Sequence, residues 1–228
     1  MCGRFTITLT IGLPERFGVT PPQPAMEPRY NIAPSQPVPV VTRTEEGERA
    51  LVEMVWGLIP SWTKDPAAVR HAINARAETL AERPSFRNPL RKRRCLVPAS
   101  GFYEWKRSGK TSLPHYIHRK DDALVALAGL YDLWRSPDNT VKKTFVIVTT
   151  EPNTLVSRYH DRMPAILRPE DEETWLLQQP LDAETLRKVL TPYPAGELEA
   201  YAVSRKVNDP ASKGAELIRK TGGETLPV

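Results

Sequence analysis

The sequence predicts an α+β fold, in which a curved, barrel-like antiparallel sheet is flanked by short helices. Three observations carry this. Short alternating or β-branched stretches crowd the centre, parted by turn residues such as Gly109 and Pro137-Asp138-Asn139. The clearest amphipathic helices, over 169–177 and 182–190, come after them, each with acidic residues in its first turn. The 23 prolines favour many short elements joined by fixed turns over long helices. No repeat, low-complexity tract or composition break divides the chain, so a single domain over residues 1–228 is expected, with ample core for its length.

Taken in order, residues 2–9 read as a short strand and 13–17 as a helical turn, before the rigid connector Pro21-Pro22-Gln23-Pro24. Residues 30–35 read as a loop and 37–42 as a strand. Glu45-Glu46-Gly47-Glu48 turns the chain into a returning strand over 51–57, where Val52, Met54 and Trp56 alternate. Pro60-Ser61-Trp62 opens a loop. Asp65-Pro66 starts a short helix, with Asp at the N-cap and Pro at the first position. Residues 76–82 read as helical, and 83–94 as mixed and strongly basic. Strands are expected at 95–97, 101–106, 114–118, 123–129 and 143–149. Residues 153–158 look helical, 199–204 form a last strand and a helix lies near 212–220.

Composition narrows the function classes. Hydrophobic content of 40% and charged content of 26% describe an ordinary soluble balance. No apolar run approaches the ~20 residues of a membrane span. The N-terminus lacks the basic-then-apolar order of a secretory signal. No membrane partner is therefore expected. A net charge of +5 favours an acidic partner, nucleic acid first. Two cysteines, Cys2 and Cys95, do not make a disulfide framework and fit a reducing cytoplasm. With four dispersed histidines, metal-ligand spacing is absent, so no metal is expected.

Cys2 is the first candidate for chemistry. Initiator methionine is normally trimmed before a small second residue, which would leave Cys2 with a free α-amine beside its thiol. The amine titrates near 7.7–8.0 and the thiol near roughly 8.5, so both have a reactive fraction at neutral pH. An amine attacks an aldehyde to give a Schiff base, and the neighbouring thiol can close a thiazolidine ring on the same carbon. The same group could attack an amide. The plainer alternative is a small apolar residue in a first strand.

Four further stretches stand out. Asn74-Ala75-Arg76-Ala77-Glu78 could hold a ligand oxygen and a phosphate, or could be a helix N-cap with surface charge. In the run from Arg94 to Trp105, Glu104 sits among aromatics, and an apolar setting would raise its pKa toward acid–base use. Alternation puts Phe102 and Glu104 on one face and Tyr103 and Trp105 on the other, without saying which faces solvent. His160 lies between Tyr159 and Asp161-Arg162, and its titration range suits proton transfer near neutrality, although a lone histidine is more often structural. Finally, Trp56, Trp62 and Trp105 share these motifs with Arg4, Arg76, Lys106 and Arg162, as expected where aromatics stack on bases and cations hold phosphates. Arg91-Lys92-Arg93-Arg94 could add long-range attraction or be a solvated charged face.

Together these pieces resemble the SRAP family, named for a supposed SOS-response-associated peptidase. The likeness rests on Met1-Cys2-Gly3-Arg4-Phe5, Tyr30-Asn31-Ile32-Ala33-Pro34, Trp56-Gly57-Leu58-Ile59-Pro60-Ser61-Trp62, Asn74 to Glu78, the 94–105 stretch, His160-Asp161-Arg162-Met163-Pro164 and Val207-Asn208. Seven motifs in order, from residue 2 to about 208, are highly specific together. Residues 211–217 match more loosely.

The resemblance implies an abasic-site sensor. It would bind single-stranded DNA and trap the ring-opened aldehyde of an abasic deoxyribose through Cys2, giving a thiazolidine crosslink that shields the lesion. The resemblance leaves room for lyase activity alongside capture. By the same resemblance Asn74 positions the sugar or the amine, Glu104 manages protons, and His160 assists ring opening at O4′. Arg4, Arg76 and Arg162 would contact phosphate or sugar. Pro34 and Trp62 would shape the DNA groove, with Trp105 and Met163 also at the DNA. The expected partner is abasic single-stranded DNA, met by a cytoplasmic monomer, and the resemblance implies no cofactor, because imine chemistry supplies its own electron sink. The alternative from another class is an N-terminal-nucleophile amidohydrolase or autopeptidase. It shares the Met-Cys-Gly start, but no matching glutamine-binding motif follows and no oxyanion hole can be placed from sequence.

Overall fold

A computed structural model describes residues 2–109 and 111–222, apart from the side chain of Ser108. In chain order the strands are β1 (Phe5–Ile7), β2 (Arg29–Ile32), β3 (Pro37–Arg43), β4 (Arg49–Trp56), β5 (Asn74–Arg76), β6 (Arg94–Ala99) and β7 (Gly101–Ser108). Then come β8 (Thr111–Arg119), β9 (Val125–Arg135), β10 (Val141–Thr150), β11 (Met163–Pro164), β12 (Ile166–Leu167) and β13 (Leu198–Ala202). The α-helices are α1 (Leu13–Phe17), α2 (Pro84–Lys92), α3 (Pro169–Leu176) and α4 (Ala183–Val189), all short.

The expected barrel closes. Around it run β10, β4, β3, β6 and β9, and β9 pairs back onto β10. Most pairings are antiparallel, but β4 and β5 both run parallel to β10, so the barrel is mixed. A second sheet, in the order β13-β8-β7-β1-β2, is antiparallel throughout. The main core joins the two. Trp56 is fully buried, meets Phe5 of the second sheet edge-on at 5.1 Å and lies parallel to Phe145 at 6.4 Å. Burying such aromatics contributes both area and geometry.

Local chemistry accounts for several element ends. Gly18 closes α1 in the left-handed conformation (φ 62°). Asp65 accepts from the N–H of Ala67 at 2.9 Å and caps a 3₁₀ turn over Pro66–Ala68. Asp182 caps α4 by accepting from Thr185 N–H at 2.7 Å.

Other expectations need correction. Residues 30–35 do not form only a loop, because Arg29–Ile32 is strand β2 on β1. Asn74–Arg76 is a strand, and the expected helix after it shrinks to a 3₁₀ turn over Ala77–Thr79. The basic 83–94 stretch contains helix α2, begun by Pro84. The last helix is a 3₁₀ turn over Ala215–Ile218. Trp56 cannot stack a base, since it is core. Within Arg91–Arg94, Arg94 is only 2% exposed. Its guanidinium donates to the carbonyls of Trp175 at 2.5 Å and Gln179 at 2.9 Å, so it serves packing rather than a basic surface. Arg93 pairs with Asp132, leaving Arg91 and Lys92 as the exposed cations of the run.

Gly101 marks the tightest approach in the second sheet. A Cβ there would sit 2.5 Å from the Tyr116 ring and 2.7 Å from the Ile117 carbonyl oxygen. Tyr116 cannot yield freely, because its hydroxyl is bonded to Thr6 Oγ1 at 2.9 Å. Gly101→Ala is therefore expected to destabilise by about 1–3 kcal/mol, as overpacking does. Gly12→Ala, where a Cβ meets nothing within 4 Å, is the control. Thermal unfolding of the two variants checks this, and equal midpoints would refute it.

Candidate active site

The site is assembled where the second sheet meets the edge of the barrel. Phe5 lies opposite Phe102, and Tyr103 N–H donates to the Arg4 carbonyl at 3.0 Å. The pairing thus continues past β1 and lays residues 2–4 beside 103–105. From the barrel side, β5 runs parallel to β10 with Asn74 opposite Ile147. Asn74 Nδ2 donates to the Cys2 carbonyl at 2.9 Å, tying the two halves together. Asn74 is therefore no helix cap. Its Oδ1 is buried without a hydrogen-bond partner among the described residues.

Glu104 shares the face of β7 that meets the main core with Phe102, while Tyr103 points to the opposite face, into a second buried cluster, and donates to the Tyr30 carbonyl at 2.7 Å. Glu104 is 2% exposed, and burial pushes its carboxyl up to about 7. Cys2 is fully buried, and burial, reinforced by the Glu104 charge, pushes its thiol well above the ordinary range. That thiol is protonated at neutral pH. Opposite Glu104 in β8 stands His115, whose ring contacts Tyr159 at 4.6 Å. This contact brings the 159–162 loop over the β7–β8 face.

His160 lies in that loop, partly buried. Burial holds its pKa below the ordinary value, so the ring is neutral at neutral pH. Arg162 N–H donates to His160 Nδ1 at 3.0 Å, while Asp161 Oδ1 lies 2.6 Å from the same nitrogen. One nitrogen cannot accept the first and donate to the second. With Nδ1 as the acceptor of the chain-fixed backbone donor and the exposed Asp161 turned aside, the neutral ring would carry its proton on Nε2.

The candidate arginines differ. Arg4 donates to Asn31 Oδ1 and the Val207 carbonyl, both at 2.9 Å. Arg162 pairs with both oxygens of Glu78 at 2.7 and 2.9 Å and donates to the Thr149 carbonyl at 2.6 Å. Arg76 is exposed at the end of β5. Trp62 is 64% exposed, and Pro34 is half-buried. Trp105 is half-buried and donates from Nε1 to Asn208 Oδ1 at 2.8 Å. Met163 is fully buried, accepting from Asn153 N–H at Sδ (3.4 Å), so as folded it offers no surface to DNA and packs the loop instead. Sequence reasoning passed over the supporting partners Asn31, Glu78, His115 and Thr149. Asn31 and Glu78 stood in the quoted motifs, but only contact distances give them a task. Met1, whose removal was expected, lies outside the described residues. Among the described residues no three His, Cys, Asp or Glu side chains cluster as metal ligands, and no described helix is long and apolar enough to cross a membrane.

Residues 1–210 match the family model described as SOS response associated peptidase (SRAP). The chain belongs to this family. Among its SRAP-family relatives, abasic site processing protein YoqW of Bacillus subtilis is 45% identical over 222 residues, covering 96% of this chain and 99% of YoqW. Abasic site processing protein HMCES of Gallus gallus is 32% identical, over 79% of this chain and 62% of that protein. A solved structure of a Bacteroides thetaiotaomicron protein superposes with a TM-score of 0.86 at 29% identity, covering 96% of this chain and all of that one. The SRAP fold and the seven motifs are thus joined in one chain.

The raised carboxyl of Glu104 has a consequence for stability. In the unfolded chain it titrates near 4.5, and in the folded one near 7. The folded state therefore holds its proton more tightly. The stability this contributes is fully present below pH 4.5 and lost as pH rises through about 7. Glu104→Gln lacks this loss. The midpoint of the variant relative to wild type should climb between pH 4.5 and 8 in thermal melts, and a pH-independent difference would refute the buried carboxyl.

Proposed function

We propose that this protein binds single-stranded DNA containing abasic sites and captures the lesion covalently through Cys2. What carries the reading is the convergence of Cys2, Asn74 and Glu104 from two sheets on one buried spot. The names of the relatives support it, since each is called an abasic site processing protein.

The chemistry needs Met1 removed, which frees the Cys2 amine. The protonated thiol favours an amine-first order. The amine adds to the C1′ aldehyde, giving a carbinolamine. This loses water to form the imine, and sulfur then adds to the imine carbon while its proton passes to nitrogen. Aldehyde and aminothiol become thiazolidine and one water, with no oxidant, metal or cofactor. Glu104, titrating near 7, takes the proton from the amine and returns it to the departing hydroxyl. The unpartnered Asn74 Oδ1 is suited to accept from the amine. His160, neutral with its proton on Nε2, donates a hydrogen bond to O4′ as the closed sugar opens, while the proton lost by the C1′ hydroxyl passes to O4′ through water. In this reading Arg76 and Trp62 meet the DNA directly. Arg4 and Arg162 either add phosphate contacts through their remaining N–H groups or hold the site's walls. Any strand cleavage would proceed from the imine. The protein works as one unit and as a monomer, in the cytoplasm.

Denaturing electrophoresis with an abasic single-stranded oligonucleotide tests this. Wild type should give a shifted band that survives without added reductant. Cys2→Ala should lose it while keeping most non-covalent affinity. An equally stable adduct on Cys2→Ala would overturn the assignment, as would intact-mass measurement showing Met1 fully retained in crosslinking protein.

Glu104→Gln should slow capture by roughly 10²–10⁴-fold, the usual contribution of an acid–base group. His160→Ala should slow capture of a closed-ring abasic site much more than of a fixed open-chain aldehyde. Crosslinking rates on the two substrates decide this, and equal defects would remove His160 from ring opening.

A further inference from the structure

Away from Cys2, a cleft of about 700 Å³ opens where β4 and β10 part. The two strands pair only at Val55–Thr144 and Trp56–Phe145. Before that point β4 follows β3 and β10 follows β9, so a wedge is left between them. Its walls include the apolar side chains of Val52, Val55 and Val141, the latter two 38% and 40% exposed. Lys142, Lys143 and His71 stand at its rim, with Glu53 as its acid.

We propose that this cleft is a second nucleic-acid subsite, which takes a nucleotide flanking the captured lesion. The inference rests on the single-stranded DNA reading of the preceding section. Apolar walls suit the faces of a base, and a lysine at the rim suits its phosphate. The cleft is also coupled to Trp62. Lys142 Nζ lies 5.5 Å from the centre of the Trp134 ring. Trp134 Nε1 donates at 2.7 Å to the carbonyl of Thr63, next to Trp62. Ser61 N–H, on the other side of Trp62, donates to Asp132 Oδ2 at 2.8 Å. The exposed indole and the lysines are therefore held on one framework. The cleft is also near the site along the chain. His71 stands three residues before Asn74, and Leu58 bridges to Ala72, so the connection, bent at Ile73, spans at most roughly 10 Å. Two rim cations and His71 against one acid favour a phosphodiester over an acidic–apolar mixture. Addition of a peptide strand to the free edge of β4 is the competing occupant.

The test uses fluorescence anisotropy with undamaged single-stranded oligonucleotides of increasing length, at several salt concentrations. Wild type is compared with Lys142→Ala/Lys143→Ala and, separately, Val55→Asp. All three substituted residues are exposed, and thermal melts confirm folding. Wild-type affinity should step up once the oligonucleotide is long enough to reach the cleft. Both variants should lose that step, and the double variant should show a salt slope shallower by about 0.7, for the one phosphate held. Crosslinking of a saturating short abasic oligonucleotide should be unchanged. Equal affinity and slope for wild type and both variants at every length would overturn the subsite, and would leave the free β4 edge to a peptide. A wild type that shows the length step but never crosslinks would sink the capture chemistry and leave the subsite standing.

Discussion

Strand β10 is the constraint on which the rest depends. It hydrogen-bonds to β9 and then β11 along one edge, and to β4 and β5 along the other. Pairing with β4 and β9 closes the barrel. Pairing with β5 sets Asn74 and Arg76 in place, and pairing with β11 fixes the end of the loop that carries His160. One strand thus aligns segments that are far apart in the chain, and its register transmits any error to all of them. Where its partner β4 diverges, the cleft appears. The same divergence that leaves a gap in the barrel makes a surface for a ligand.

The electrostatics of the site follow from burial. Cys2 and Glu104 lie in the same buried spot; burial raises both, and the Glu104 charge adds to the cost of a Cys2 thiolate. Burial favours neutral forms throughout, with thiol protonated, carboxyl near its midpoint and imidazole neutral. Such a site suits a condensation that begins and ends with neutral species and passes protons between steps. It suits poorly a mechanism that depends on a resting thiolate.

Arginine placement separates recognition from architecture. Arg4 reaches Asn31 and the Val207 carbonyl, and so ties the N-terminal segment to the segment near residue 208. Arg162 anchors its loop to Glu78 and Thr149. Paired and partly buried, these guanidinium groups resist losing one partner more than they gain from having it, because the remaining charge would be stranded. Their motifs are explained by this scaffolding as well as by any contact with phosphate.

Much of this was legible in the order of residues alone. The α+β class, the short strands, the proline-started helices and the caps at Asp65 and Asp182 follow from local rules, because backbone sterics and side-chain-to-backbone bonds act within a few residues. The motifs holding Cys2, Asn74, Glu104 and His160 were visible for the same reason. What local rules left open was decided by tertiary packing. Alternation paired Glu104 with Phe102, but only the stacking of the second sheet on the barrel made that face the inner one. Asn74 looked like a cap until β10 drew it into a strand beside Cys2. Trp56, Arg94 and Met163 looked available to DNA and are buried. The type and spacing of residues determine what chemistry a chain can hold, whereas burial is a property of contacts between distant segments. Tertiary packing settles which side chains meet solvent, and burial together with local hydrogen bonds and charges sets where protons rest.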